Sequence, residues 1–387
     1  MAIYLEREPM KITDLRTWVI GVAPGINWIF LRLETDEGIW GWGEATLEGK
    51  DETSLGAIRD LARGLVGNPV PSPELAWRRG FRAAAWKGVA LYSAMSAIDH
   101  ALWDIRGKQL GQPVSMLLGG PVRDRIHAYT WATVSESAPT LAHSVGEAHE
   151  KFGFTHFKMA PLERYFTADA RELDLAVQAV AEVNGALPEG GKVAIEGHNR
   201  LSSATAIPLA ARLESMRVMF IEDFVDSNDE ASMAHLRQNT RLPITAGEKR
   251  YSRQDVWPLL RDRLVDYLSI DLCHAGGLSE SHRIASAAEM VGIGVLPHNP
   301  NGPVGMAATL QLAAAHPNVL AIETVHQRFP LMAALSGEEP QVEDGYAVIS
   351  NRPGLGVELD LEALDHFAAE PADFPFGEDV AVPTGRI

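Results

Sequence analysis

From residue 10 to about residue 48, apolar and polar residues alternate in short runs rich in aromatic and β-branched side chains, "TWVI" and "WIFLRLETDEGIWGWGEA". A period of two predicts strands, and Asp36-Glu37-Gly38 between two of the runs predicts a hairpin turn. Over residues 52–66 and 89–110 the apolar spacing becomes helical. The second stretch, "VALYSAMSAIDHALWDIRGKQL", runs up to Gly111 and Pro113, both helix-stopping residues. Residues 1–126 therefore read as one α+β section.

After "VRDRIHAYTW" the pattern becomes short apolar strand, polar junction and helix, repeated. The strand candidates are "AYTW", "HFKMA", "KVAI", "VMFI", "PITA", "DYLSI", "GVLP" and "LAI", with Ala-rich amphipathic stretches such as "ARELDLAVQAVAEV" and "SHRIASAAEMV" between most of them. Eight such units predict an α/β fold of the (β/α)8, or TIM-barrel, type over residues 127–334. Residues 335–387, with "ISNRPGLGVELD", are too few for a domain and are expected to pack back on the opening section.

The polar residues that close these strands form a series. Glu196 follows "KVAI", Glu222 follows "VMFI", Glu248 follows "PITAG", Asp271 follows "YLSI", His298 follows "GVLP" and Glu323 follows "LAI". Successive members are 26, 26, 23, 27 and 25 residues apart, about one strand-helix unit each. A barrel gathers its strand C-termini on one face, where barrel enzymes keep their active sites. The third strand ends "KVAIEGHNR", and if it stayed extended Glu196, His198 and Arg200 would project from one side of it.

Three carboxylates on adjacent strands repel one another, and a divalent cation relieves that repulsion. With oxygen ligands and no thiolate, Glu196, Glu222 and Glu248 suit a hard ion such as Mg²⁺. Asp271 beside His298 would fix the imidazole tautomer and raise its basicity, as in a general base.

Composition narrows the function further. The 387 residues, 46% apolar, can bury a large core, and a net charge of −17 disfavours a nucleic-acid surface. Cys273, the single cysteine, permits no internal disulfide, and Glu6 and Glu8 stand where a secretory signal would be apolar. No run of 18 apolar residues is present, so no membrane partner is expected, and a reducing cytoplasm is the expected compartment.

The stretches "FLRLETDEGIWGWGEA", "SAIDHALWDIRGK", "GFTHFKM", "ITAGEKRYSR", "DLCHAGGLSE", "PHNPNGPVGMAA" and "RPGLGVELD" resemble the enolase superfamily, mandelate racemase branch, and within it the sugar-acid dehydratases. The resemblance spans nearly the whole chain. It implies an α+β cap over the barrel, built from the N-terminal section and the C-terminal tail. It implies Mg²⁺ on Glu196, Glu222 and Glu248, a base made of His298 with Asp271, Glu323 hydrogen-bonding the substrate carboxylate, and His198 as a second acid/base. It further implies dehydration of an aldonate of the galactonate type to a 2-keto-3-deoxy acid through an enediolate, in a homo-oligomer between dimer and octamer.

Racemases of this branch carry a Lys-x-Lys pair on the second strand. Here Lys158 is kept and Ala160 replaces the second lysine, so two-base racemisation through that pair is not expected. Lys158 and Arg200 are substrate-binding candidates, each with a salt-bridge role as the alternative. Cap segments 22–28, 44–50 and 82–88 are expected to select the substrate, with Trp28 and Glu48 as contacts. Glu196 stands where the family usually has Asp, and Glu222-Asp223-Phe224 where Glu-Glu-Pro is usual. A catalytically silent sugar-acid binder and a racemase or epimerase stay open as alternatives.

Overall fold

The computed structural model describes residues 8–23, 25–83, 87–135, 138–162 and 170–371. The first layer is an antiparallel sheet of β1 (Ile12–Ala23), β2 (Ile26–Thr35) and β3 (Trp40–Glu44). The expected hairpin joins β2 to β3, and Gly38 holds a φ of 73° there, a region open to glycine. Ile29, Leu31 and Leu33 face helix Val89–Leu110 with Ala94, Ala97 and Ala101, while Trp28, Phe30 and Trp42 join the main core. Gly41 and Gly43 let β3 lie on the helix backbone: a Cβ on them would come within 2.0 and 1.9 Å of the Ala101 and Ala97 carbonyl oxygens. The helix stops as its sequence predicts, with Gly111 in the left-handed conformation.

Eight strands follow: β4 (Arg125–Trp131), β5 (His156–Met159), β6 (Lys192–Glu196), β7 (Val218–Glu222), β8 (Ile244–Ala246), β9 (Tyr267–Leu268), β10 (Gly294–Val295) and β11 (Ile322–Thr324). They pair parallel in chain order from β4 to β10, and β11 returns to β4. The ring closes where Val295 of β10 bridges Val319, just before β11. A closed parallel ring with helices between most strands is the (β/α)8 barrel, and the antiparallel sheet caps it.

Within the tail, β12 (Val342–Glu343) and β13 (Tyr346–Val348) form a hairpin, and β13 runs antiparallel to β4 from Tyr346 opposite His127 to Val348 opposite Arg125. The tail therefore pairs with the barrel before it reaches the cap. There Leu355 N–H donates to Asp104 Oδ1 at 2.8 Å and Ala369 N–H to the Val19 carbonyl at 2.8 Å. Residues 372–387 lie outside the described residues.

Asp104 also accepts from Trp42 N–H at 3.0 Å and pairs with Lys108 at 2.8 Å, so one buried carboxylate joins β3, the cap helix and the tail. Asp104→Ala leaves two buried N–H groups without an acceptor and is expected to cost about 2–4 kcal/mol. Urea denaturation measures this; a loss under about 1 kcal/mol would show that this junction is not held by the carboxylate.

Candidate active site

The strand ends bring the series together at one mouth. Glu196 and Glu222 are the last residues of β6 and β7 and lie opposite each other in register, and Glu248 follows β8 by two residues. Carboxylate oxygens of the three lie within 4.8 Å of one another. Burial, with mutual repulsion behind it, raises the carboxyls of Glu196 and Glu222 above the ordinary range. Burial acts on Glu248 in the same direction, but His298, Lys249 and Lys158 outweigh it and hold Glu248 low.

Lys158, from β5, is buried completely and reaches three of the acids: Nζ lies 3.0 Å from Glu196 Oε2, 2.8 Å from Glu222 Oε2 and 3.4 Å from Glu323 Oε2. Burial alone would depress its pKa, yet Glu222, Glu323 and Glu196 raise it well above the ordinary value, so it stays an ammonium. Among the described residues Glu222 Oε1 has no hydrogen-bond partner, and Lys158, Lys249 and the His298 ring carry at most three positive charges against the six carboxylates of Glu196, Glu222, Asp223, Glu248, Asp271 and Glu323. This donor set, all oxygen, buried at Glu196 and Glu222, partly exposed at Glu248 and short of counter-charge, fits a divalent cation.

The base pair is formed. His298 Nδ1 lies 2.8 Å from Asp271 Oδ2 and its Nε2 lies 3.3 Å from Glu248 Oε2. An ionised carboxylate only accepts, so Nδ1 carries the hydrogen and Nε2 points into the site. Burial works against protonation of His298, but Glu248, Asp271 and Glu323 overcome it and raise the imidazole to about 10.

His198 reaches the site by a different route from the one its spacing predicts. β6 ends at Glu196, and His198 and Asn199 adopt positive φ of 48° and 59°, so the extended alternation stops before it. The turn folds back, with His198 N–H donating to Glu196 Oε1 at 2.7 Å and the ring stacked on Trp131 at 6.3 Å between centroids. Close packing fixes this turn, since a Cβ at Gly197 would fall 2.7 Å from Phe224 Cα. Burial lowers the His198 pKa to about 3, so the ring is neutral in this state.

Other candidates sit around this centre. Glu323, in β11, accepts from Trp131 Nε1 as well as facing Lys158. Arg200 donates to the Leu162 carbonyl, on the loop after β5. Glu48 is exposed on the cap. Trp28 is fully buried, 6.2 Å from Phe30, and a Cβ at Gly302 would come within 3.0 Å of its ring. It lies beneath the loop that follows His298. Of the cap segments singled out in the sequence, residues 24 and 84–86 lie outside the described residues.

Several residues at the mouth carry no sequence signal strong enough to single them out. Trp131 is one, although its place at the end of β4 was a cue. Lys249 is another: Nζ is 2.8 Å from buried Asp223 and 3.0 Å from Glu248. Arg328, just after β11, donates to the Pro300 carbonyl and faces the charges of Glu48 and Glu323. Cys273 is buried and its thiol is raised well above the ordinary value, first by burial and then by Glu44 and Asp271, which leaves it an unreactive thiol.

A capped parallel barrel with acids at the ends of consecutive strands and a His–Asp pair opposite defines an enolase-type enzyme fold. The chain belongs to the mandelate racemase/muconate lactonizing enzyme family: residues 18–119 match the Mandelate racemase / muconate lactonizing enzyme, N-terminal domain, and residues 140–364 match the Enolase C-terminal domain-like family. It is 36% identical over 373 residues to a D-galactonate dehydratase of Variovorax paradoxus, covering 94% of this chain and 96% of that protein. A D-galactonate dehydratase of Ralstonia nicotianae is 38% identical over 363 residues, 92% of this chain and 93% of that one. The crystal structure of a mandelate racemase/muconate lactonizing enzyme-like protein from Roseovarius sp. TM1035 superposes with a TM-score of 0.86 at 28% identity, covering 94% and 96%. No helix among the described residues is long and apolar enough to cross a membrane.

Proposed function

We propose that this protein is a Mg²⁺-dependent hydro-lyase that dehydrates an aldonate of the galactonate type to a 2-keto-3-deoxy acid. The observation that carries this is the triad of buried Glu196 and Glu222 with partly exposed Glu248, facing the His298–Asp271 pair across one mouth. The triad would hold the ion, which when bound supplies positive charge to the substrate carboxylate and so acidifies the α-hydrogen. Once the Glu248 charge that keeps His298 protonated is neutralised by an ion on the triad, Nε2 is free to take the α-proton, with Asp271 holding Nδ1–H and stabilising the imidazolium that forms. Trp131 and Lys158 fix Glu323 where it can meet the substrate carboxylate. Loss of the β-hydroxyl requires a proton, which His198 is placed to give. Burial keeps His198 neutral before substrate binds, and the negative charge of an incoming carboxylate favours its imidazolium.

Racemisation through a lysine pair has little support here. Ala160 replaces the second lysine, and Lys158 is held charged by three carboxylates, so it has no lone pair to accept a proton.

Removal of the ion with EDTA is expected to abolish turnover and added Mg²⁺ to restore it; full activity in metal-free protein would refute the role of the triad. Affinity should depend on pH in a definite direction. Burial raises the Glu196 and Glu222 carboxyls above the ordinary range in the folded chain, so as pH falls toward the acid side of neutral they take up protons that the ion must expel. Calorimetric Mg²⁺ affinity is therefore expected to fall as pH drops from 8 to 6; a flat profile would place the ion elsewhere.

A further inference from the structure

Behind the base pair lies a chain of contacts that starts on the cap. Asn301 Nδ2 lies 3.1 Å from Asp271 Oδ1 and 3.0 Å from Oδ2, and both residues are buried. The face turned to an acceptor-only carboxylate must be the amide NH₂. Cys273 N–H also donates to Oδ1, and His298 occupies Oδ2. The carboxylate torsion of an Asp is intrinsically broad, so these donors decide its plane.

Asn301 sits in the loop between β10 and helix Pro303–Ala315, and the cap seats that loop. Glu44, the last residue of β3, is fully buried and accepts from Gly302 N–H at 2.6 Å and Gly305 N–H at 2.7 Å, with the Thr46 hydroxyl a third donor at 2.7 Å. These amides, at the cap and first turn of the helix, would otherwise lack partners, and a carboxylate is favoured there by the helix dipole. The turn has no slack, because a Cβ at Gly305 would come within 2.7 Å of Asn301 Cβ, 2.9 Å of Cys273 Sγ and 3.2 Å of Glu44 Oε2.

We propose that Asn301, seated from the cap by Glu44, is a positioning residue for α-proton abstraction: it fixes the plane of Asp271 so that His298 presents Nε2 to the substrate. The inference rests on the dehydratase reading. A base displaced by about 1 Å loses on the order of 10²-fold in rate, so loss of the Asn301 contact on Asp271 should be visible in kcat.

The test compares the full-length wild type with Asn301→Leu and Glu44→Gln, using D-galactonate and Mg²⁺. Asn301→Leu is expected to lower kcat and α-hydrogen exchange with solvent deuterium together by roughly 10–100-fold, with KM and Mg²⁺ affinity within about threefold. Glu44→Gln should lower the same two quantities less, because one amide N–H keeps its acceptor. The low-field proton resonance of His298 Nδ1–H, read by NMR without turnover, should shift in both variants. Unchanged kcat, exchange and resonance in Asn301→Leu would overturn the proposal. Equal losses in KM, metal affinity and kcat would overturn it too, by showing a general structural role. If Asn301→Leu does not fold, an unaltered kcat and resonance in Glu44→Gln overturns it. A wild type that neither forms 2-keto-3-deoxy acid nor exchanges the α-hydrogen refutes the dehydratase reading, and the resonance then judges the contact by itself.

Discussion

His298→Asn is expected to lose both dehydration and exchange of the substrate α-hydrogen with solvent, each by roughly two to four orders of magnitude. The asparagine cannot take a proton at the position of Nε2, although it can still reach Asp271. His198→Asn should separate the two steps: it slows departure of the β-hydroxyl and leaves α-exchange, since His298 still forms the enediolate and can return the proton. Deuterium incorporation into recovered substrate, measured beside product formation, distinguishes the two variants. Near-normal turnover in His298→Asn with no exchange in His198→Asn would reverse the assignment.

Lys158→Met is expected to produce the second large change, with opposite signs in two measurements. The ammonium lies within 3.4 Å of Glu196, Glu222 and Glu323, all of them buried. Removing one partner from a buried ionic cluster costs about 3–5 kcal/mol, so the metal-free variant should unfold well below the wild type. At the same time Lys158 competes with a divalent ion for Glu196 Oε2 and Glu222 Oε2. Its loss should raise Mg²⁺ affinity by about tenfold or more, because a nearby like charge has gone. Thermal unfolding with EDTA and with Mg²⁺ reads both effects, and the gap between the two midpoints should widen. An unchanged gap would show that the lysine and the ion do not share these oxygens.

The barrel was legible in the chain because its strands and helices are local patterns at a steady spacing, and the acids that end them carry the same spacing. Helix Val89–Leu110 was legible to its last residue, since Gly111 supplies a left-handed stop. β9 and β10 have only two laddered residues each, although "DYLSI" and "GVLP" read as longer strands. Backbone hydrogen bonds run on past those pairs, with His298 N–H donating to the Ile270 carbonyl at 3.1 Å, and this carries Asp271 and His298 to the mouth. The turn at His198 and Asn199 was not legible, because a histidine with positive φ has no pattern and is forced by packing against Phe224. Contacts between distant segments were also hidden. Glu44 meets Gly302 across 258 residues of sequence, and only the seating of the cap on the barrel brings them together.

The most direct measurement is incubation of the purified protein with D-galactonate and related aldonates in Mg²⁺-containing deuterium oxide, followed by detection of 2-keto-3-deoxy acid. The geometry of the triad and the His298–Asp271 pair predicts product from at least one aldonate, abolished by EDTA and by His298→Asn. Absence of both product and α-deuterium with every aldonate, from folded protein that binds Mg²⁺, would contradict it.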